Sequence, residues 1–375
     1  MSNVFVKEQL KYLKNYFENI YVICPVAYGM DYLRKVQHKD YIFDNVHVYF
    51  LNYLNIPLFY FYSRDLWASI EYSAIIKFIK KRNLRFDYIH AHYTWPSGVV
   101  AAKLKKDINV PLIITEHTSE TFMKAIRNKD SQFVKAWEIS DSIIRVRRGD
   151  ISLFHDVGIS LDKIRNVTNG YDSNKFYPMD MSICRTKLGL PPDTKIILNV
   201  ANLYSTVKGH EYLITAMSEV VNQRKNSLCI IIGEGKLHDH LVKLVDELGM
   251  KDYIKLVGSK NHDEIPQWIN SCDLFVLPSL NEGNPTVMFE CLGCGKPFIG
   301  TKVGGVPEII VTEDYGLLCE PARSKELAEN ILLGLNHNWD SDLIKEYSSQ
   351  FSWSSIAENI YKVYSQINSN NNCCH

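Results

Sequence analysis

Two carboxylates and a lysine stand where this sequence turns. In "NEGNPTVMFE", residues 281–290, Glu282 and Glu290 flank an Asn-Gly-Asn-Pro turn. Asn284 can cap a following helix, and Pro285 suits its first position. A helix start gathers free N–H groups and partial positive charge, so it draws anions. Lys208-Gly209, in "ANLYSTVKGHEYL", precede a second helical stretch and set an ammonium beside another group of N–H donors. Lysines ordinarily favour the other helix end, so the charge sense points to a ligand such as phosphate. "LCIIIGEGKL" supplies Gly233 and Gly235, which let backbone approach a ligand closely, although a GxG alone carries little specificity. "KVGGVPEII" adds another glycine-rich turn before a helix. Together these turns suit a ligand that is both anionic and rich in hydroxyls.

Short apolar runs must position these turns. In the first half they are "IYVIC" (20–24), "NVHVYFL" (45–51), "FDYIHA" (86–91), "PLIIT" (111–115) and "DSIIRV" (141–146). In the second they are "KIILNV" (195–200), "LCIIIG" (228–233), "YIKLVG" (253–258), "DLFVLP" (273–278) and "KPFIGT" (296–301). Continuous rather than alternating apolar runs predict strands buried on both faces. Stretches such as "EYLITAMSEVVNQ" and "LHDHLVKLVDELG" between them have helical periodicity. Strand–helix–strand repetition predicts α/β architecture: two doubly wound domains with parallel sheets. The four ligand-adapted turns then lie on one edge of the second sheet, and two such domains facing each other make a cleft at their strands' C-terminal ends. The Gly-, Pro-, Asn- and Asp-rich stretch 169–195 marks the seam. The expected division is 1–172, 173–350, and a C-terminal helix with a polar tail over 351–375. The first half opens on a helical pattern, "FVKEQLKYLKNYF", so the strand that would normally sit first and centrally in its sheet is expected to be missing.

Composition bounds the rest. A chain of 375 residues with 46% hydrophobic and 22% charged residues is globular and long enough for two domains. Lys+Arg and Asp+Glu both number 42, which removes any global pull toward nucleic acid. Nine cysteines without regular spacing form no disulfide framework, and Cys291 and Cys294 read as small buried residues on a helix. Cys373, Cys374 and His375 end a polar tail. No apolar run reaches membrane-spanning length and the start lacks a signal-peptide core, so a cytoplasmic location is expected. The aromatic block "YFLNYLNIPLFYFYSRDLW" (49–67) reads as core; exposed, it would suit a peripheral contact at the inner membrane face. His90 and His92 are expected to alternate, one facing the cleft and one packing inward. The "DSD" at 340–342 reads as a helix cap rather than a metal motif.

The stretches "NVANLYSTVKGHEYLITAM", "IIIGEGKL", "CDLFVLPSLNEGNPTVMFECLGCGKPFIGTKVGGVPEII" and "YGLLCEP" resemble the retaining glycosyltransferases of family 4, which have the GT-B fold. Weaker echoes are "IHAHYTWPSG", "IITEHTSE" and "NVTNGYDSNKFYP". The resemblance implies metal-independent transfer of a hexose, with retained anomeric configuration, from a nucleotide diphosphate sugar. UDP-sugars are the commonest such donors. The implied acceptor is a glycan or lipid-linked group in cell-surface polysaccharide or glycoconjugate synthesis. It implies that Glu282 contacts the donor sugar's hydroxyls and that the N–H groups of Gly283, Asn284 and Thr286, around Pro285, hold sugar and diphosphate. It further implies that Glu290 grips the ribose hydroxyls, Lys208 neutralises the departing diphosphate, and His117 lies near the reacting centre, with Glu308 a lesser candidate. The final helix "FSWSSIAENIYKVYSQI" resembles one that returns to brace the first domain. There are two departures. Asn202 stands where relatives commonly carry arginine, which leaves Lys208 as the main cation. "SNVFVKEQLKYL" matches what normally follows the missing first strand and its loop, from which an upstream in-frame start or a truncated product is expected. The alternatives are a nucleotide-sugar epimerase of the same architecture and a non-catalytic nucleotide-sugar-binding protein.

Overall fold

The computed structural model describes residues 4–28, 38–54, 63–117 and 120–372. The chain divides into two compact units, one of residues 1–168 and 357–375, the other of 169–356. Cys373, Cys374 and His375 lie outside the described residues, as do positions 55–62 of the aromatic block.

The first unit carries β1 (Ile20–Tyr28), β2 (Tyr41–Phe43), β3 (Val46–Leu54), β4 (Ile89–His92), β5 (Leu112–Glu116), β6 (Ser142–Arg145) and β7 (Ile164–Asn166). They form two sheets: β1-β3-β2, and the parallel β4-β5-β6-β7. β1 runs parallel to β3 over nine residue pairs, from Ile20–Val46 to Tyr28–Leu54. Among the described residues no strand joins β1 to β4, so what the sequence suggested as one doubly wound sheet is split at that point. Exposure follows from the split: β5 and β6 are buried at every position, while β1 is half-buried from Ile20 to Ala27. Pro25 in the middle of β1 is compatible with an edge strand, because proline cannot donate to a ladder. Leu112, Ile114 and Ile143 form a core with Ile75, Leu104, Phe122, Phe133, Trp137 and Phe154 from the surrounding helices. Near its end the C-terminal helix Trp353–Asn372 packs within this unit, Tyr361 stacking on Tyr16 at 4.7 Å and Tyr364 meeting Tyr88 edge-on at 4.9 Å.

The second unit holds one parallel sheet of six strands: β8 (Lys195–Val200), β9 (Ser227–Ile232), β10 (Ile254–Leu256), β11 (Leu274–Leu277), β12 (Phe298–Thr301) and β13 (Gly316–Cys319). Their order is β10-β9-β8-β11-β12-β13. The apolar runs are continuous because successive residues enter different cores. Ile196, Leu198, Ile230, Phe275 and Phe298 meet helices Ile265–Ser271 and Thr286–Gly293 on one side. Ile197, Ile231, Leu274, Val276 and Ile299 meet helices His210–Gln223, His238–Glu247 and Ser324–Asn336 on the other. Each fully buried Leu, Ile or Phe contributes about 1.5–3 kcal/mol, so the layer order is strongly fixed. Because every strand is parallel, the turns leaving β8, β9, β11 and β12 share one edge of the sheet.

Candidate active site

The four turns on that edge interlock in the order of their strands. The Leu280 N–H donates to the Val207 carbonyl at 2.7 Å, tying the β11 turn to the β8 turn. Gly209, at φ +69°, presses so closely on the Pro278 carbonyl that a Cβ would sit 1.9 Å from its oxygen. The Gly305 N–H donates to the Gly283 carbonyl at 2.7 Å, tying the β12 turn to the β11 turn. Gly304, at φ +57°, would bring a Cβ to 1.9 Å from the Glu282 carbonyl oxygen. On the other side the Leu203 N–H donates to the Glu234 carbonyl at 2.8 Å. Gly233 and Gly235 there abut the Ala201 and Leu203 carbonyls, so neighbouring backbone occupies the space their missing side chains leave.

This platform fixes both carboxylates by one oxygen each. Glu282, with its side chain 8% exposed, accepts through Oε1 from Lys208 Nζ at 2.8 Å and from Ser279 Oγ at 2.6 Å. Ser279 is itself anchored, its carbonyl accepting from Thr301 Oγ1. Glu290 projects from helix Thr286–Gly293, and its Oε1 lies 3.0 Å from His262 Nε2. Neither Oε2 has a partner among the described residues, and neither belongs to the buried unpaired atoms. Each carboxylate is thus held in place with an acceptor oxygen to spare.

The helix start differs from the expected one. Pro285 is the N-cap, with ψ 119°, and Thr286 opens the helix; Asn284 makes no side-chain cap. Pro285 at ψ 119° is itself extended, so the helix begins one residue later than the position Asn284 could cap. The Asn284 carbonyl accepts from Asn169 Nδ2 at 3.2 Å instead. The opening N–H groups of the helix still lack intrahelical acceptors by construction. Asn202 is exposed and its Oδ1 faces the Tyr204 N–H at 3.4 Å. Asp340 caps helix Ser341–Ser348 by accepting from the Asp342 and Leu343 N–H groups, each at 3.0 Å. Burial raises the Cys291 and Cys294 thiols far above their ordinary range, which keeps them inert.

In the first unit His117 follows β5, and its Nε2 lies 3.1 Å from His92 Nδ1. His90 and His92 do not alternate. Residues two apart on a strand point the same way, and the rings stack at 4.7 Å. His90 spans Tyr364 Oη at 2.6 Å and Thr115 Oγ1 at 2.7 Å. Burial depresses all three imidazoles, with mutual repulsion adding for His90 and His117, and His92 falls to about 4. Beneath them Glu116 is raised to about 7 by burial, while Thr94 and Arg145 hold it down in part. Arg145 donates to the Glu116 carbonyl at 2.8 Å and pairs with Asp150. Of the aromatic block, Tyr53 is core and bonds Glu71 at 2.7 Å, whereas Leu54 is exposed. The structure therefore brings Lys208, Glu282, Gly283 and the start of helix Thr286–Gly293 together on one edge and adds His262 at Glu290. His262 sits in the polar loop "SKNHDE", which offers no periodicity or motif by which to single it out.

The chain matches the family described as "Glycosyl transferases group 1" over residues 180–351 and the one described as "Glycosyltransferase Family 4" over residues 3–175. An uncharacterized glycosyltransferase of Methanocaldococcus jannaschii is 30% identical over 286 residues, 75% of this chain and 76% of its own. The chain belongs to glycosyltransferase family 4. Sucrose-phosphate synthase from Thermosynechococcus elongatus superposes with a TM-score of 0.75 at 21% identity, covering 98% of this chain and 94% of that one. The Anabaena protein HepE, solved with UDP and glucose, superposes with a TM-score of 0.72 at 21% identity, covering 97% and 96%. At that identity the likeness speaks to the fold, which is GT-B with two Rossmann-like domains.

Proposed function

We propose that this glycosyltransferase moves a hexose, with retention, from a nucleotide diphosphate sugar, with UDP as the nucleotide, to a glycan or lipid-linked acceptor. The observation that supports the reading is the platform itself: a fixed carboxylate pair, a lysine and a helix start share one edge of a parallel sheet. HepE, which shares the fold, was solved with UDP and glucose. Glu290 Oε2 is assigned to the ribose hydroxyls and Glu282 Oε2 to those of the sugar. Lys208 and the N–H groups of Gly283, Asn284 and Thr286 are assigned to the diphosphate, with Gly233, Gly235 and Asn202 lining the same edge. His117 is assigned to the reacting centre. In the transfer the bond from the anomeric carbon to the β-phosphate oxygen breaks and leaves its electron pair on the phosphate. The acceptor hydroxyl oxygen bonds to that carbon on the same face, and its proton ends on the departing phosphate. Fixed positive groups at the phosphate lower this barrier because charge grows there as the bond breaks, which is how a lysine and helix N–H groups serve without a metal. Among the described residues no helix is long and apolar enough to cross a membrane; the reaction is placed at the cytoplasmic side, where such donors are made, with any membrane contact peripheral.

A thermal-shift screen over UDP-, GDP- and ADP-sugars tests the reading. A ligand at a hundred times its Kd stabilises the folded state by about 2.7 kcal/mol, so the true donor class raises the Tm clearly. No shift with any of them overturns the proposal. A shift without transfer to any acceptor and without donor hydrolysis favours a binding protein, and interconversion of the sugar favours an epimerase.

A further inference from the structure

Glu282 and Glu290 are held by the same device with different partners. Lys208 and Ser279 engage Oε1 of the first, and His262 Nε2 engages Oε1 of the second at 3.0 Å. The imidazole of His262 is 47% exposed while the Glu290 side chain is 11% exposed, so the histidine is the more solvent-facing partner and the carboxylate the more buried one. The ring is oriented by Phe176, a fully buried core residue that it meets edge-on at 5.4 Å. Glu290 sits between Phe289 and Cys291, both fully buried, so the helix gives its carboxylate no other polar neighbour in sequence.

We infer that His262 is a positioning residue for nucleoside recognition: its Nε2–H holds Glu290 by Oε1 so that Oε2 is presented to the two neighbouring hydroxyls of a ribose. The inference rests on the nucleotide-sugar reading. A carboxylate has about four lone-pair sites, so one bond to histidine leaves room for both hydroxyls. Two neighbouring hydroxyls need a carboxylate in a fixed plane, and a glutamate freed to rotate loses part of that match to side-chain entropy.

The test is calorimetric binding of UDP and of 2′,3′-dideoxy-UDP to the full chain, as wild type, His262→Ala and His262→Gln, each with its Tm recorded. Loss of one charged hydrogen bond predicts that His262→Ala weakens UDP binding by about tenfold. Glutamine can donate from its own Nε2 and is expected to restore most of it. The dideoxy compound, lacking the hydroxyls, is expected to bind wild type and His262→Ala alike. An unchanged UDP affinity in His262→Ala, or equal losses for both nucleotides, overturns the inference. If wild type binds UDP and the dideoxy compound equally well, Glu290 does not read the ribose and the assignment of that carboxylate falls. If wild type binds neither of these, nor GDP or ADP, the nucleotide-sugar reading itself fails and takes this inference with it.

Discussion

Replacing Lys208 by methionine removes a cation that the fold uses before any ligand arrives. Its Nζ lies 2.8 Å from Glu282 Oε1, with the lysine side chain 25% exposed and the glutamate 8%. Without it Glu282 keeps only the Ser279 hydroxyl at 2.6 Å. Stranding one charge of a fully buried pair costs roughly 3–5 kcal/mol, and losing a hydrogen bond to a charged group about 1.5–3 kcal/mol. Water reaches this pair from the lysine side, which places the expected cost near the lower range, about 2 kcal/mol. For a cooperative unit of roughly 150–250 residues, each kcal/mol moves the Tm by about 2–4 °C, so a fall of about 4–8 °C is expected. Glu282→Gln discharges the partner, and the double variant Lys208→Met/Glu282→Gln should be less destabilised than the two single losses added together, by about 1–2 kcal/mol. Urea unfolding of the four proteins measures this. In the same series, donor turnover by Lys208→Met should fall more than donor affinity, since the ammonium gains value as charge develops on the phosphate. Additive losses within about 0.5 kcal/mol would refute the coupling, and a selective loss of affinity with turnover intact would refute the role at the leaving group.

Glu290→Gln is expected to weaken nucleotide binding by about 1.5–3 kcal/mol, roughly 10- to 150-fold in Kd, as read by calorimetry. Gly304→Ala should cost about 2 kcal/mol or more in urea unfolding and lower activity, because a Cβ at φ +57° would meet the Glu282 carbonyl oxygen at 1.9 Å and prise the β11 turn from the β12 turn. The Tm should fall as pH drops from about 6.5 to about 4: burial depresses His90, His92 and His117, so the unfolded chain takes up protons there that the folded one refuses. Glu116, raised to about 7, acts oppositely between about 4.5 and 7 because the folded state binds the extra proton, and three histidines outweigh it; a Tm that climbs steadily as the pH is lowered from about 6.5 to about 4 would contradict the burial of the cluster.

All ten apolar runs singled out as strands are strands, and the reason lies in the two cores that Ile196–Leu198 and Leu274–Leu277 enter on alternate sides. β2, β7 and β13 left no such trace. "YIF", "IRN" and "GLLC" are bounded closely by charged or polar residues and lack the longer apolar run that framed the equally short β10. Apolar runs also say nothing about partners, so the split between β1 and β4 emerged only from pairing. The edge carrying Lys208, Glu282 and helix Thr286–Gly293 was legible because turn residues, glycine and a proline mark it. Its internal bonding was not: a sequence gives no hint that Ser279 and Lys208 converge on one oxygen or that His262 from a polar loop reaches Glu290. The stacking of His90 on His92 was available from the two-residue period of a strand, which overrides any expectation that they diverge.

In the proposed function Glu290, Lys208 and the turn before helix Thr286–Gly293 hold an activated sugar by its ribose and phosphates. A crystal structure of the full chain with the nucleotide sugar that raises its Tm most tests this directly. Ribose hydroxyls are expected about 2.6–3.2 Å from Glu290, and a diphosphate against Lys208 and the N–H groups of Gly283, Asn284 and Thr286. A nucleotide bound elsewhere, with the Lys208–Glu282 pair undisturbed and Glu290 touching only His262, would contradict it.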